Sequence, residues 1–217
     1  MRELPLFPIG MPRVHYLRTE NHARAIKSDL AACKRLAVIG AGLIGLEVAA
    51  SAAELGIQVE VFEVAPRIMS RACDEETAAL ILGEHRNRGV KFEMPSYITG
   101  VVSQPDGSLV LATGGGTAHA CDLVVVGAGV APDDLLAAAA GLAVKDGVVV
   151  DAQCRTSDPR IFAAGDVTRF AAAYATAQPQ GMIRLENWLH AQEHGVIAGR
   201  NAAGSNDSYA SIPSLLE

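Results

Sequence analysis

Arg35-Leu36-Ala37-Val38-Ile39-Gly40-Ala41-Gly42-Leu43-Ile44-Gly45-Leu46-Glu47, with Gln58-Val59-Glu60-Val61-Phe62-Glu63 after it, decides the fold. Arg35 to Ile39 is a short apolar run of strand character. The glycine-rich turn Gly40 to Gly45 then opens an Ala-, Leu- and Ile-rich stretch, Leu43 to Leu55, which Gly56 closes as a C′ residue. Gln58 to Glu63 alternates and is β-branched, which predicts a strand. A strand, a crossover helix and a second strand in this order build parallel sheet. G-x-G-x-x-G carries weight in this context, directly after a strand and at the start of a helix. Gly40 permits the tight turn, Gly42 lets a pyrophosphate approach the backbone, and Gly45 lets helix and strand pack closely. Ala41, Leu43 and Ile44 complete the loop, whose helix N-terminus offers N–H groups and partial positive charge to phosphates.

Outward from this unit, Asp74 to Arg88 reads as a second helix. Acids stand at its start and arginines at its end, as the macrodipole prefers. Val90 to Phe92 reads as a third strand. Tyr97 to Ser103, Leu109 to Thr113 and Ala118 to Cys121 are short strands separated by Pro105-Asp106-Gly107 and Gly114-Gly115-Gly116, which predicts an antiparallel meander inserted into the parallel fold. Asp122 to Gly127 returns to a buried strand. A short helix over Asp133 to Ala140 follows, then a further strand pair. Ile161 to Ala164 leads into Gly165-Asp166, and a last helix spans Glu186 to Ala203. Upstream, Thr19 caps a helix over Glu20 to Ala32. The fold class is α/β: a Rossmann-like parallel sheet with an inserted antiparallel β-meander, plus a partial second domain, which the resemblance given below implies to be of FAD-binding type. The expected organisation is an extended proline-rich segment over 1–18, an NAD-binding domain over 19–130, the remainder of the second domain over 131–204, and a frayed tail over 205–217.

The 217 residues are half apolar and 19% charged, with a formal net charge of −6. A disordered polymer is therefore excluded. The acidic balance, without a Lys/Arg run, argues against nucleic acid and anionic membranes as partners. The longest apolar runs, Ala37 to Leu46 and Leu135 to Val144, fall well short of the roughly 20 residues of a membrane span. Met1 to Pro5 lacks the apolar region of a signal peptide. Cys33, Cys73, Cys121 and Cys154 form no C-x-x-C pair, and spread reduced thiols suit the cytoplasm.

Glu63 stands at the end of the second strand, roughly 20 residues beyond Gly40, where a carboxylate accepts hydrogen bonds from ribose hydroxyls. It repels a 2′-phosphate, so NAD is preferred over NADP, although Arg67 and Arg71 lie close in sequence. Glu47, in the second turn of the helix among Leu46, Val48 and Ala49, reads either as solvated helix surface or as cofactor-facing.

Four segments in order carry a resemblance: Gly40 to Glu47, Val64-Ala65-Pro66-Arg67-Ile68-Met69, Val124-Val125-Val126-Gly127-Ala128-Gly129-Val130 and Ile161-Phe162-Ala163-Ala164-Gly165-Asp166-Val167. Together they resemble the two-dinucleotide-domain flavoprotein reductases, the pyridine nucleotide–disulfide reductase superfamily. Within it, Arg184-Leu185-Glu186-Asn187-Trp188-Leu189-His190-Ala191-Gln192 resembles the E-x-W-x-x-A-Q segment of the ferredoxin reductases that serve aromatic-ring dioxygenases and bacterial P-450 cytochromes. Leu17-Arg18-Thr19 resembles their L-R-T element.

The resemblance implies that Gly40, Gly42, Gly45 and Glu63 bind NADH, and that Gly127 and Gly129 line the nicotinamide path with Glu47 near the carboxamide. It implies that Asp166, after Gly165, hydrogen-bonds the ribityl chain of FAD, and that the backbone around Trp188 meets the flavin pyrimidine edge. The resemblance also implies that hydride passes from nicotinamide to flavin and that single electrons leave for a 2Fe–2S ferredoxin. The cofactors carry the chemistry, so no acid–base dyad is expected. Read without the resemblance, Asp166 is a buried turn carboxylate with a structural hydrogen bond.

The chain departs from the family pattern at both ends. The first G-x-G-x-x-G fold, which holds the FAD adenylate, is absent, and Tyr209-Ala210-Ser211-Ile212-Pro213 resembles only the opening of the C-terminal domain. The expectation is a truncated chain with weak or absent flavin and with exposed apolar surface that favours self-association. An NAD-binding module without flavin or turnover, and a chain unstable alone, are the rival readings. His190-Ala191-Gln192-Glu193-His194 also fits H-x-x-E-H, a zinc pattern, but no third ligand is evident. These two are read as helix-surface histidines.

Overall fold

The computed structural model describes residues 2–70, 72–172 and 181–210. Arg71 and the tail from 211 therefore lie outside the described residues. The chain divides into two compact units, Met1–Val130 and Ala131–Glu217.

The first unit is built on a five-stranded parallel sheet. Its strands are β1 (Val14–Tyr16), β2 (Arg35–Ile39), β3 (Gln58–Phe62), β4 (Lys91–Glu93) and β8 (Leu123–Val126), in the order β1-β8-β2-β3-β4. β5 (Ile98–Ser103), β6 (Leu109–Thr113) and β7 (Ala118–Cys121) form the separate antiparallel meander, as the glycine-separated short runs predict. The helices are α1 (Glu20–Leu30), α2 (Leu43–Glu54) and α3 (Glu75–Asn87). Thr19 caps α1 by accepting the His22 N–H, and Asp74 caps α3 by accepting that of Thr77.

Period-two alternation explains the layers. In β2, Leu36 and Val38 point into one core while Ala37 and Ile39 point into the other. In β8, Leu123 and Val125 join the first core, and Val124 and Val126 the second. A parallel strand apolar on both sides must be covered on both faces. Ile26 and Leu30 of α1, Leu46, Ala49 and Ala52 of α2, and Ala78 of α3 cover one face. Leu109 and Leu111 of the meander cover the other, together with Phe7. The meander is also tied to the sheet by a hydrogen bond of 3.0 Å between His119 Nδ1 and Glu60 Oε2.

The proline-rich segment over 1–18 is more than an extended lead-in. Phe7 and Tyr16 are buried, and the Tyr16 hydroxyl donates to the Phe7 carbonyl at 2.7 Å. Val14–Tyr16 adds an edge strand to β8. Three residues are too few to show a period, so only pairing with β8 reveals the strand.

In the second unit, β9 (Val148–Val150) pairs in parallel with β10 (Thr168–Ala171), which pairs antiparallel with β11 (Met182–Ile183). α4 (Leu135–Ala139) precedes this sheet, and α5 (Trp188–Ala202) ends the unit. α5 starts two residues later than expected, because the Asn187 side chain accepts the His190 N–H and caps it. The helix buries His190, His194, Ala198 and Asn201, one stripe at helical spacing. The two histidines are thus core residues rather than surface ones. Phe170 stacks on His190 with ring centroids 5.0 Å apart, and Tyr209 covers both imidazoles.

The expectation of a frayed tail fails over 205–210. Asn201 Nδ2 donates to the carbonyls of Gln153 and Asp207, its Oδ1 accepts the Asp207 N–H, and the Tyr209 N–H donates to Ala152 at 2.8 Å. One buried amide side chain thereby anchors a polar segment whose composition alone resembles a loop. No helix among the described residues is long and apolar enough to cross a membrane.

Candidate functional site

In the first unit the expected nucleotide residues meet at the C-terminal ends of β2, β3 and β8, where open parallel sheets bind ligands. The Gly40 N–H donates to the Phe62 carbonyl at 2.8 Å, and the Gly127 N–H to that of Ile39 at 2.7 Å. These bonds sew the loop after β2 to the ends of its neighbours. Gly40 has φ +104°, and a Cβ on it would lie 2.6 Å from the Gly127 oxygen. A Cβ on Gly45 would lie 2.1 Å from the Gly40 oxygen, and one on Gly127 would press on the Gly45 backbone at 3.2 Å. Gly42 is different: among the described residues nothing stands within 4 Å of where its Cβ would be. Three glycines are required by the protein's own packing, and the fourth leaves open space.

That space adjoins the start of α2. Gly42 is its N-cap and supplies no side-chain cap. The first N–H groups of a helix have no intrahelical partner, so they point outward beside the positive end of the dipole. Ala41 and Gly45 are buried, while Leu43 and Ile44 are exposed at the mouth. Glu63 follows β3, and its carboxylate accepts the Ala41 N–H at 2.7 Å and the Ala65 N–H at 2.8 Å. Two of its roughly four lone-pair sites are used, and the rest can accept from a ligand hydroxyl. Arg67 spends its guanidinium on the carbonyls of Ile68, Met69, Ser70 and Asp74. It therefore folds its own loop. Glu47 is exposed, and the Gly129 carbonyl accepts the Arg2 N–H at 3.0 Å.

In the second unit, Gly165 and Asp166 form a 3-10 turn, Gly165–Val167, leading into β10. Gly165 is buried with φ +75°, and a Cβ there would meet Ala191 Cβ at 3.3 Å. Asp166 is exposed. This removes the reading of a buried carboxylate. Trp188, at the start of α5, is 72% exposed. Arg184, at the head of the motif, is ion-paired with Glu186 and with Asp146, the latter at 3.5 Å.

The family described as pyridine nucleotide-disulphide oxidoreductase matches residues 3–195. The chain belongs to the pyridine nucleotide-disulphide oxidoreductase family. It is 42% identical over 201 residues to the ferredoxin–NAD(+) reductase component of the anthranilate 1,2-dioxygenase system of Burkholderia cepacia, covering 93% of this chain and 48% of that one. It is 37% identical to rhodocoxin reductase of Rhodococcus erythropolis, covering 98% and 49%. Among solved structures, the ferredoxin reductase for the CYP199A2 system from Rhodopseudomonas palustris superposes with a TM-score of 0.90 at 33% identity, covering 98% of this chain and 52% of that one. The chain thus spans about half the length of the curated relatives it matches.

For this member of the pyridine nucleotide-disulphide oxidoreductase family, the structure brings Gly40 to Gly45, Glu63 and Gly127 together in the first unit. Gly165, Asp166 and Trp188 lie in the second, where Gly165 packs on α5 through Ala191. Sequence reasoning missed His194, whose Nδ1 accepts the Gly165 N–H at 3.3 Å. The signal available was its place on one helical stripe with Ala198. Among the described residues, no group of three or more His, Cys, Asp or Glu is arranged to hold a metal ion.

Proposed function

We propose that this chain supplies the NADH site and flavin contacts of an NADH-dependent flavoprotein reductase that passes electrons through FAD to a 2Fe–2S ferredoxin. The observation that carries it is the open space at Gly42 beside uncapped helix N–H groups, with the Glu63 carboxylate bonded to the same loop. A pyrophosphate needs both close backbone approach and N–H donors, and a ribose diol needs a fixed acceptor. The names of the relatives, ferredoxin–NAD(+) reductase component and rhodocoxin reductase, support the electron acceptor.

In this reading Gly40, Ala41, Gly42, Leu43, Ile44 and Gly45 hold the NADH pyrophosphate and Glu63 holds the adenosine ribose. Glu47, Gly127 and Gly129 border the nicotinamide. In the second unit the exposed Asp166 beside buried Gly165 is a free-standing acceptor for a hydroxylated chain, and exposed Trp188 offers a flat face to a flavin edge. When bound, FAD supplies the conversion of a two-electron donor into single-electron transfers. The protein's own residues bind, orient and screen, and none is assigned a proton-transfer role. Leu135 and Leu136 of α4, 76% and 86% exposed, support self-association or cover by further protein.

The test is the visible spectrum of the purified chain, supplied with FAD, before and after anaerobic NADH. A flavin band that bleaches on NADH supports the reading. NADH binding with no flavin uptake refutes flavin binding by this chain alone and leaves an NAD-binding module whose flavin half lies elsewhere.

A further inference from the structure

The histidine pair of α5 is fully buried, and neither imidazole belongs to the nucleotide site. Among the described residues their Nε2 atoms have no hydrogen-bond partner, so both rings are kept inside at a cost that their Nδ1 bonds must offset. His190 Nδ1 is 2.9 Å from the Tyr209 hydroxyl. His194 Nδ1 faces the Gly165–Val167 turn. It accepts the Gly165 N–H at 3.3 Å and lies 3.3 Å from Thr168 Oγ1. The Thr168 hydroxyl donates to the Gly165 carbonyl at 2.7 Å. Both backbone polar groups of Gly165 are therefore held, one by an imidazole and one by a hydroxyl, and Thr168 and His194 are both inaccessible to solvent. Asp166 follows directly and is exposed.

An N–H can be accepted only by an imidazole nitrogen that carries no proton. His194 must then be neutral, with its proton on Nε2. A proton on Nδ1 would set two donors against each other, reverse the ring's bond to Thr168 Oγ1 and leave the Gly165 N–H unheld. We infer that His194 is a positioning residue, which through Nδ1 fixes the Gly165 peptide and so sets the direction in which Asp166 is presented. What Asp166 is presented to rests on the flavin reading above. The lock itself does not.

The surroundings favour the neutral ring. Burial pushes the His194 pKa down, and the neighbouring His190 pushes it further, to about 4. The groups facing it are His190 on the same helix, Tyr209 from the following segment, and Cys154, whose thiol donates to the His194 carbonyl at 3.7 Å. From β10, among the described residues, come Phe170 and Thr168. Asp166 and Glu193 act on His190, holding up a pKa that burial lowers.

The experiment compares the chain with His194→Leu, which cannot accept the bond, and His194→Gln, whose Oε1 can. Two quantities are read: the exchange rate of the Gly165 amide by nuclear magnetic resonance, and FAD affinity by flavin fluorescence titration. His194→Leu is expected to speed Gly165 exchange at least tenfold and weaken FAD at least tenfold, with amides of β9 unchanged. His194→Gln is expected to restore both to within about threefold of wild type. The imidazole nitrogen shifts of wild type should report a proton on Nε2 and none on Nδ1 at neutral pH. Unchanged Gly165 exchange in His194→Leu, or a proton on Nδ1, overturns the inference. A lost lock with FAD affinity intact overturns its bearing on flavin. A wild-type chain with a protected Gly165 amide that binds no FAD refutes flavin binding by this chain alone and supports the lock.

Discussion

Two glycines three residues apart should fail in opposite ways when each is changed to alanine. At Gly45 the new methyl would lie 2.1 Å from the Gly40 carbonyl oxygen, a backbone atom fixed by the loop's bonds to β3. Relief requires α2 to move off β2, and overpacking of this severity costs about 3 kcal/mol or more. For a chain of this size that lowers Tm by roughly 6–12 °C. At Gly42 the methyl meets nothing within 4 Å, and φ is −83°, ordinary for any residue. Loss of a glycine N-cap costs about 0.5–1 kcal/mol. The reduced freedom of the unfolded chain returns about 0.4–1 kcal/mol. The net change in stability is about zero. NADH affinity, however, should fall at least tenfold, because the methyl occupies the approach a pyrophosphate needs. The assay pairs thermal unfolding with NADH fluorescence titration on both variants. Gly42→Ala with unchanged Tm and unchanged NADH affinity would refute the assignment of that space to the phosphates. Gly45→Ala with wild-type Tm would refute the packing argument.

Glu63→Ala removes the acceptor for the Ala41 and Ala65 N–H groups and for a ribose. NADH affinity should drop by roughly 1–3 kcal/mol, measured by titration calorimetry, and unchanged affinity would remove Glu63 from the site. His194 has a folded-state pKa of about 4 against 6.5 unexposed to the fold, so the unfolded chain takes up the extra proton as pH falls. Its contribution is complete above about pH 6.5 and is lost as pH drops toward 4. Between pH 7 and 5 urea unfolding should show a loss of about 2 kcal/mol that is absent in His194→Gln, and equal losses in both would contradict the buried neutral ring. Trp188 is the single tryptophan and is 72% exposed. Its emission should be red-shifted and quenched by iodide in the free chain, and FAD should quench it and protect it. Emission indifferent to bound FAD would separate Trp188 from the flavin.

Glu63 was legible as an acidic residue at a strand end, but its bond to Ala41 was not. The bond depends on how β2 and β3 lie side by side, and no spacing encodes that distance. Gly165-Asp166 was legible only through resemblance. Its partner Thr168 opens the strand that follows the turn, but His194 comes from a helix 29 residues further along. His190 and His194 read as surface residues because a polar side chain on a helix usually faces water. Phe170 and Tyr209, distant in sequence, reverse that preference.

What the sequence determined alone was everything set by short-range rules. The strand–glycine turn–helix–strand unit, the cap Thr19, the acid-to-base polarity of α3, the glycine-separated meander and the two-sided apolar strands β2 and β8 each follow from residue type at a fixed offset along the chain. Tertiary structure alone decided the edge strand Val14–Tyr16, the docking of 205–210 against Ala152 to Arg155, and the burial of the two histidines. Each of these is a contact between segments far apart in the chain. Such contacts are specified by the shape of the whole core, and a local pattern carries no record of what will pack against it.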